Sequence, residues 1–90
     1  MNLGKIKLEY RYSDEPVTGV SKETGKPYGS TTHGFEAVDG RGACVIRLYQ
    51  DGTVKLPEGL KKTDICIANV TGMESVKGAS WLKVSSIVKA

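Results

Sequence analysis

Hydrophobic and polar residues alternate strictly over Lys5-Ile6-Lys7-Leu8-Glu9-Tyr10-Arg11-Tyr12. Ile6, Leu8, Tyr10 and Tyr12 fall on one face and Lys5, Lys7, Glu9 and Arg11 on the other, which is the period of a half-buried strand. Ser13-Asp14-Glu15-Pro16 breaks the pattern. Val17–Ser21 and Pro27–Val38 then flank Lys22–Lys26 and read as two antiparallel strands, with Gly25 at a positive-φ position of the loop. Pro27 belongs at an edge or a strand start, where its missing N–H does little harm. Asp39-Gly40-Arg41-Gly42 is a turn. Ala43–Gln50 is strand-like and apolar on both faces up to Arg47. An Asp51-Gly52 turn and a Pro57-Glu58-Gly59 bend lead to Thr63–Val70, whose Ile and Val favour a strand. Thr71–Ala79 contains two glycines and reads as an exposed loop, and Ser80–Val88 is the last strand.

No stretch carries a helical period. Turns recur at intervals of about ten to twelve residues, the rhythm of an all-β barrel or sandwich. Ninety residues make a single domain, 1–90. A chain of this size buries only about 60–65% of the surface its unfolded form exposes, so pairing into a dimer is a natural way to bury more. Eleven glycines add to the turn-rich character. Five or six short antiparallel strands fit a small, partly open barrel of the OB type.

Charge changes the picture through its placement. The net value of +3 is modest. From Lys77 to Ala90, however, there are three lysines and no acid, and from Gly40 to Lys62 five basic residues stand against Asp51 and Glu58. Cys44 and Cys66 sit inside apolar runs and read as free, buried small hydrophobes. Lys5 and Lys7 interrupt the N-terminus before an apolar run forms, so no signal peptide is predicted. The longest apolar runs, Ala43–Ile46 and Ile65–Ala68, are too short to span a membrane as helices. A reducing, cytoplasmic setting without membrane attachment is the expectation.

Several chemistries find no footing. His33 is the only histidine, and Cys44 and Cys66 lack the paired spacing of a zinc site. No signature surrounds a nucleophile, and Gly40-Arg41-Gly42 precedes no helix, so it is no phosphate loop. The chain is expected to be non-enzymatic and to need no cofactor. What remains is basic and aromatic. Lys22, Lys26 and Tyr28 lie within seven residues, and cations beside an exposed ring are the parts that hold a phosphate backbone and stack a base. A solvated β-hairpin explains the same residues. Arg47 and Tyr49 share one strand face, either as solvent-facing residues or as the lining of a groove. Lys83 stands on the face of Trp81, whose simpler reading is core packing.

The order of these motifs resembles that of the gene-five protein family of filamentous phages, the helix-destabilising single-stranded-DNA-binding proteins. Gly19-Val20-Ser21-Lys22 with Gly25-Lys26-Pro27-Tyr28 is similar to that family's DNA-binding wing. Val45-Ile46-Arg47-Leu48 resembles its basic residue within an apolar strand, and Pro57-Glu58-Gly59-Leu60 its Pro-Gly-Leu bend with one residue added. The likeness spans roughly Gly19 to Val88. It implies a five-stranded antiparallel OB-like barrel with a protruding hairpin wing, and a symmetric homodimer. It also implies cooperative coating of single-stranded DNA with little sequence specificity, during replication in the host bacterial cytoplasm. The implied DNA-binding residues are Lys22, Lys26, Tyr28 and Arg47, with Tyr49, Lys77 and Lys83 as further candidates. The wing is one residue longer than the family's. The loop that carries a second stacking ring in the family, here Thr71–Ala79, has no aromatic residue. Stacking is therefore shared with Trp81 or Tyr49, or is weaker. Two rivals stay open: an RNA-binding domain of the cold-shock type, for which the aromatics are scattered rather than clustered, and a protein-interaction module using exposed strand edges.

Overall fold

The computed structural model describes residues 4–50 and 52–90. Six strands follow in chain order: β1 (Gly4–Ser13), β2 (Val17–Val20), β3 (Pro27–Ala37), β4 (Gly42–Tyr49), β5 (Ile65–Val76) and β6 (Ala79–Lys89). No helix occurs among the described residues. All six belong to one sheet in the order β1-β5-β6-β4-β3-β2, and β1 also pairs with β3. The pairing thus returns on itself through β1, β5, β6, β4 and β3, and β2 hangs from β3 as the outer arm of a hairpin. Every pairing is antiparallel except β4 with β6, which run parallel.

Period-2 alternation sends one side chain in two to a shared interior. Ile6 and Leu8 from β1, Phe35 and Ala37 from β3, Cys44 and Ile46 from β4, Cys66, Ala68 and Val70 from β5, and Leu82 and Ile87 from β6 form the core. Leu8 stands opposite both Cys66 and Ala37, and Ala68 lies between Ile6 and Ile87, so each rung adds its apolar area to one cluster. Tyr10 meets Phe35 edge to face with ring centroids 5.6 Å apart. Val54, Leu56 and Leu60, from the segment between β4 and β5, pack against the same cluster. Both cysteines are free and buried, and burial pushes both thiols above their ordinary range.

Three expectations are corrected. Tyr12 does not follow Ile6, Leu8 and Tyr10 inward. The register slips between Tyr10 and Tyr12, so Arg11 forms a bulge and Tyr12 turns to the outer face. There its ring covers Gly34, where an added Cβ would collide with the Tyr12 ring. The bulged Arg11 reaches Glu9 at 3.3 Å and Glu36 at 2.6 Å, two acids that stand opposite each other across β1 and β3. The second correction concerns Thr71–Ala79, which is not a loop. β5 runs on to Val76 and pairs with β6 to the end, leaving only Lys77 and Gly78 to turn, both at positive φ (49° and 82°). This is the two-residue hairpin geometry that strand twist favours. Third, β5 starts at Ile65 rather than Thr63. Thr63 has φ of 79°, and Asp64 closes a local turn by accepting the Lys61 N–H at 2.9 Å. The six strands of the sheet include the wing arm Val17–Val20, in keeping with the reading of Val17–Ser21 as a strand. In the predicted Asp51-Gly52 turn, Asp51 lies outside the described residues, and the Gly52 N–H donates to Tyr49 O at 3.1 Å.

The wing loop is built locally. The Ser21 N–H donates to Lys26 O at 2.9 Å and the Gly25 N–H to Ser21 O at 2.8 Å, with Gly25 at φ 69° as expected. Where the wing meets the ring, buried His33 has Nδ1 2.7 Å from Ser13 Oγ, which also meets the Tyr10 hydroxyl. Burial lowers the His33 pKa from 6.5, opposed in part by the charge of Asp14.

Two stability predictions follow from these positions. Because protonation of His33 is disfavoured in the folded state, its contribution is present above pH 6.5 and is lost as pH falls below that value. The urea midpoint should therefore be lower at about pH 5.5 than at pH 7.5, and His33→Gln should flatten the difference. An unchanged midpoint would contradict the assignment. A β-branched residue at positive φ is strained, so Thr63→Gly should raise stability by up to about 1 kcal/mol; a lower urea midpoint would show that Thr63 is not under strain.

Candidate functional site

The unbroken register from β2 through β3 to β4 decides which side chains share the outer face. Gly19 lies opposite Tyr28, Ser30 opposite Tyr49 and Thr32 opposite Arg47. Tyr28, Tyr49 and Arg47 therefore project on the same side, since directly paired residues of a ladder share a face. Tyr28 and Tyr49 are 43% and 49% exposed, so two aromatic residues are accessible there. The Tyr28 ring rests over Gly19, where a Cβ would come within 2.8 Å of its hydroxyl oxygen. Glycine at this position lets the ring lie flat along the wing and floors a shallow depression with Thr18, Val20 and Pro27.

A larger groove of about 1090 Å³ runs along the line between β4 and β6. These strands pair through only three rungs, Cys44–Ser80, Val45–Trp81 and Ile46–Leu82. Past Ile46 and Leu82 they separate, and the opening is lined by Arg47, Leu48 and Tyr49 on one side and by Trp81, Lys83 and Val84 on the other. Arg47 places its guanidinium carbon 5.2 Å from the Trp81 ring centroid. Such a contact holds the charged plane against the ring and restricts its motion. Lys83 lays its stem on Gly72, with Cδ 3.6 Å from where a Cβ would be.

Ion pairing separates the cations into two groups. Arg11 and Arg41 are engaged by carboxylates, and Lys89 reaches Asp64 at 3.5 Å. Arg47 is the remaining arginine, and among the described residues it has a ring rather than an acid beside it. Among the described residues Lys22, Lys26, Arg47, Lys77 and Lys83 form no salt bridge, and neither do Lys5, Lys7, Lys55, Lys61 and Lys62. Their charge is uncompensated and available to an anion.

Of the residues expected from sequence, Arg47, Tyr49 and Lys83 come together in one groove. Tyr28 lies on the same face, on the wing one rung from its loop. Lys22 and Lys26 occupy the exposed wing loop, and Lys77 the turn at the tip of the β5–β6 hairpin, so these three lie outside the groove. Trp81 corrects the sequence reading: it is not in the core but lines the groove, half-buried beneath Arg47. The signal was present in the alternation Trp81-Leu82-Lys83-Val84. With Leu82 and Val84 both aliphatic and turned to the core, Trp81 must face out with Lys83. Glu74 is a further groove residue that sequence reasoning missed, because the stretch holding it read as a loop.

The arrangement offers fixed positive charge beside accessible rings along a continuous path. No group of three or more metal-ligating side chains occurs among the described residues. Among the described residues no helix is long and apolar enough to cross a membrane. No family model, no curated protein and no solved structure matches the chain.

Proposed function

We propose that this protein is a non-enzymatic single-stranded-DNA-binding protein whose outer face, from the Tyr28 wing to the Arg47–Trp81 groove, carries the strand. The observation that carries this reading is Arg47 held 5.2 Å over Trp81 in an open groove, with no acid paired to it among the described residues. Phosphates meet the free cations of Arg47 and Lys83, and the wing lysines Lys22 and Lys26 extend the track. Bases stack on Tyr28, Tyr49 or Trp81, which is tolerant of sequence because every base has a π-face. The absence of an aromatic from Thr71–Ala79 is consistent with this, since Trp81 across the hairpin supplies a ring on the same element pair.

The closed pairing of β1, β3, β4, β6 and β5, with its single parallel contact, supports an OB-like five-stranded barrel carrying β2 as the wing arm. Met73 and Val76 are exposed apolar residues on the β5–β6 hairpin. A second copy packed there would cover them and give the symmetric homodimer. Cooperative coating of phage DNA in the bacterial cytoplasm, as the sequence resemblance implies, is the role we assign to such a dimer.

Affinity for an oligo-dT strand, followed by anisotropy, should fall steeply with salt, the log–log slope reflecting about 0.7 ions released per phosphate held. Single-stranded DNA should be preferred to duplex, and an RNA strand of equal length tests the same face. A salt-insensitive affinity, or a preference for duplex, would contradict the proposal. Tyr28→Ala should weaken binding by the loss of one stacked base, about 1–3 kcal/mol, with the circular dichroism unchanged. Unchanged affinity would remove Tyr28 from the interface.

A further inference from the structure

The groove contains one residue that a phosphate track does not call for. Glu74 stands directly opposite Trp81 on the paired strand, so the two share a face, and both line the groove. Two rungs along, Gly72 lies opposite Lys83 on that same face. Glu74 is exposed and forms no salt bridge or hydrogen bond among the described residues, although Arg47 and Lys83 line the same groove. A free carboxylate at this point repels phosphate. It belongs where the ligand presents hydrogen-bond donors instead.

We propose that Glu74 and Trp81 form a base pocket that selects guanine, set within the otherwise sequence-tolerant DNA face. The inference rests on the single-stranded-DNA reading above. In a single strand the Watson–Crick edge is unpaired and open to side chains. Guanine alone presents two adjacent donors on that edge, N1–H and the N2 amino group, and a carboxylate accepts both at once. Cytosine and adenine each offer one amino donor beside a ring acceptor. Thymine offers one N–H between two carbonyl oxygens, which a carboxylate repels.

Stacking fixes the height of the base. A base lying along Trp81 has its edge directed across the strand pair, where cross-strand neighbours place their Cβ atoms about 5 Å apart. Glu74 is that neighbour. Arg47 holds the Trp81 ring from the β4 side. Lys83, its stem lying on Gly72, supplies the cation for the phosphate that follows the selected base. The acid thus reads the base and the cations hold the backbone, with no group duplicated.

The test compares three labelled strands of equal length by anisotropy: oligo-dT, the same strand with one central guanine, and the same strand with hypoxanthine, which lacks the N2 amino group, in place of guanine. A bidentate contact should make the guanine strand bind about fivefold to a hundredfold more tightly than oligo-dT, with the hypoxanthine strand between them. Glu74→Gln should shrink that preference, and Glu74→Leu should abolish it while oligo-dT affinity rises, because a repulsive charge has gone. Equal affinity of the wild type for all three strands would overturn the guanine pocket and leave the DNA-binding reading standing. A guanine preference that survives Glu74→Leu would also overturn it. Failure to bind any of the three strands would overturn both.

Discussion

The three-rung parallel contact between β4 and β6 is the feature on which the rest depends. It completes the ring of pairings that encloses the core, since Cys44, Ile46 and Leu82 lie on or beside its rungs and all are buried. It is also short. Parallel strands joined at only three positions can part on either side, and here they part toward Tyr49 and Val84. Their inner residues, Leu48 and Val84, still rest against the core, so separation opens a groove without breaking the hydrophobic cluster. Core closure and groove opening are two consequences of one pairing and where it stops.

The same contact determines which charges are free. On the β1–β3 side of the sheet a bulge swings Arg11 between Glu9 and Glu36, and its guanidinium is engaged by both carboxylates. In the β3–β4 turn Arg41 is held by Asp39 at 2.8 Å. On the β4–β6 side the neighbour of Arg47 is an indole. A guanidinium stacked on a ring keeps its charge and its planar fork of donors, and both remain available to a phosphate. The chain's modest net charge therefore understates the local field along the groove.

Much of the interior was legible in the chain. Strict alternation over Lys5–Tyr10 gave the first strand and its buried face, and the small apolar runs around Cys44 and Cys66 gave two core strands. The face shared by Arg47 and Tyr49 also followed from alternation alone, and so did the wing with Gly25 at its bend. What alternation could not show was a change of phase. The bulge at Arg11 sends Tyr12 outward, and nothing in the residue types marks it, because the ring of Tyr12 serves equally well as cover for Gly34. The β5–β6 hairpin was hidden for a different reason. Gly72 and Gly78 suggest a loop, yet one glycine makes room for the Lys83 stem and the other makes a two-residue turn. With that hairpin read as a loop, the cross-strand pair of Glu74 and Trp81 had no partner to be seen against, and Trp81 passed for a core residue.

Trp81 is the only tryptophan in the chain, so its emission reports on the groove and nowhere else. Adding oligo-dT at low salt should quench that emission to a saturating limit, at the same stoichiometry that anisotropy of the labelled strand gives, and raising the salt should restore it. Binding that leaves the tryptophan emission unchanged would mean that the strand runs elsewhere on the protein, and would contradict the placement of the DNA face on the Arg47–Trp81 groove.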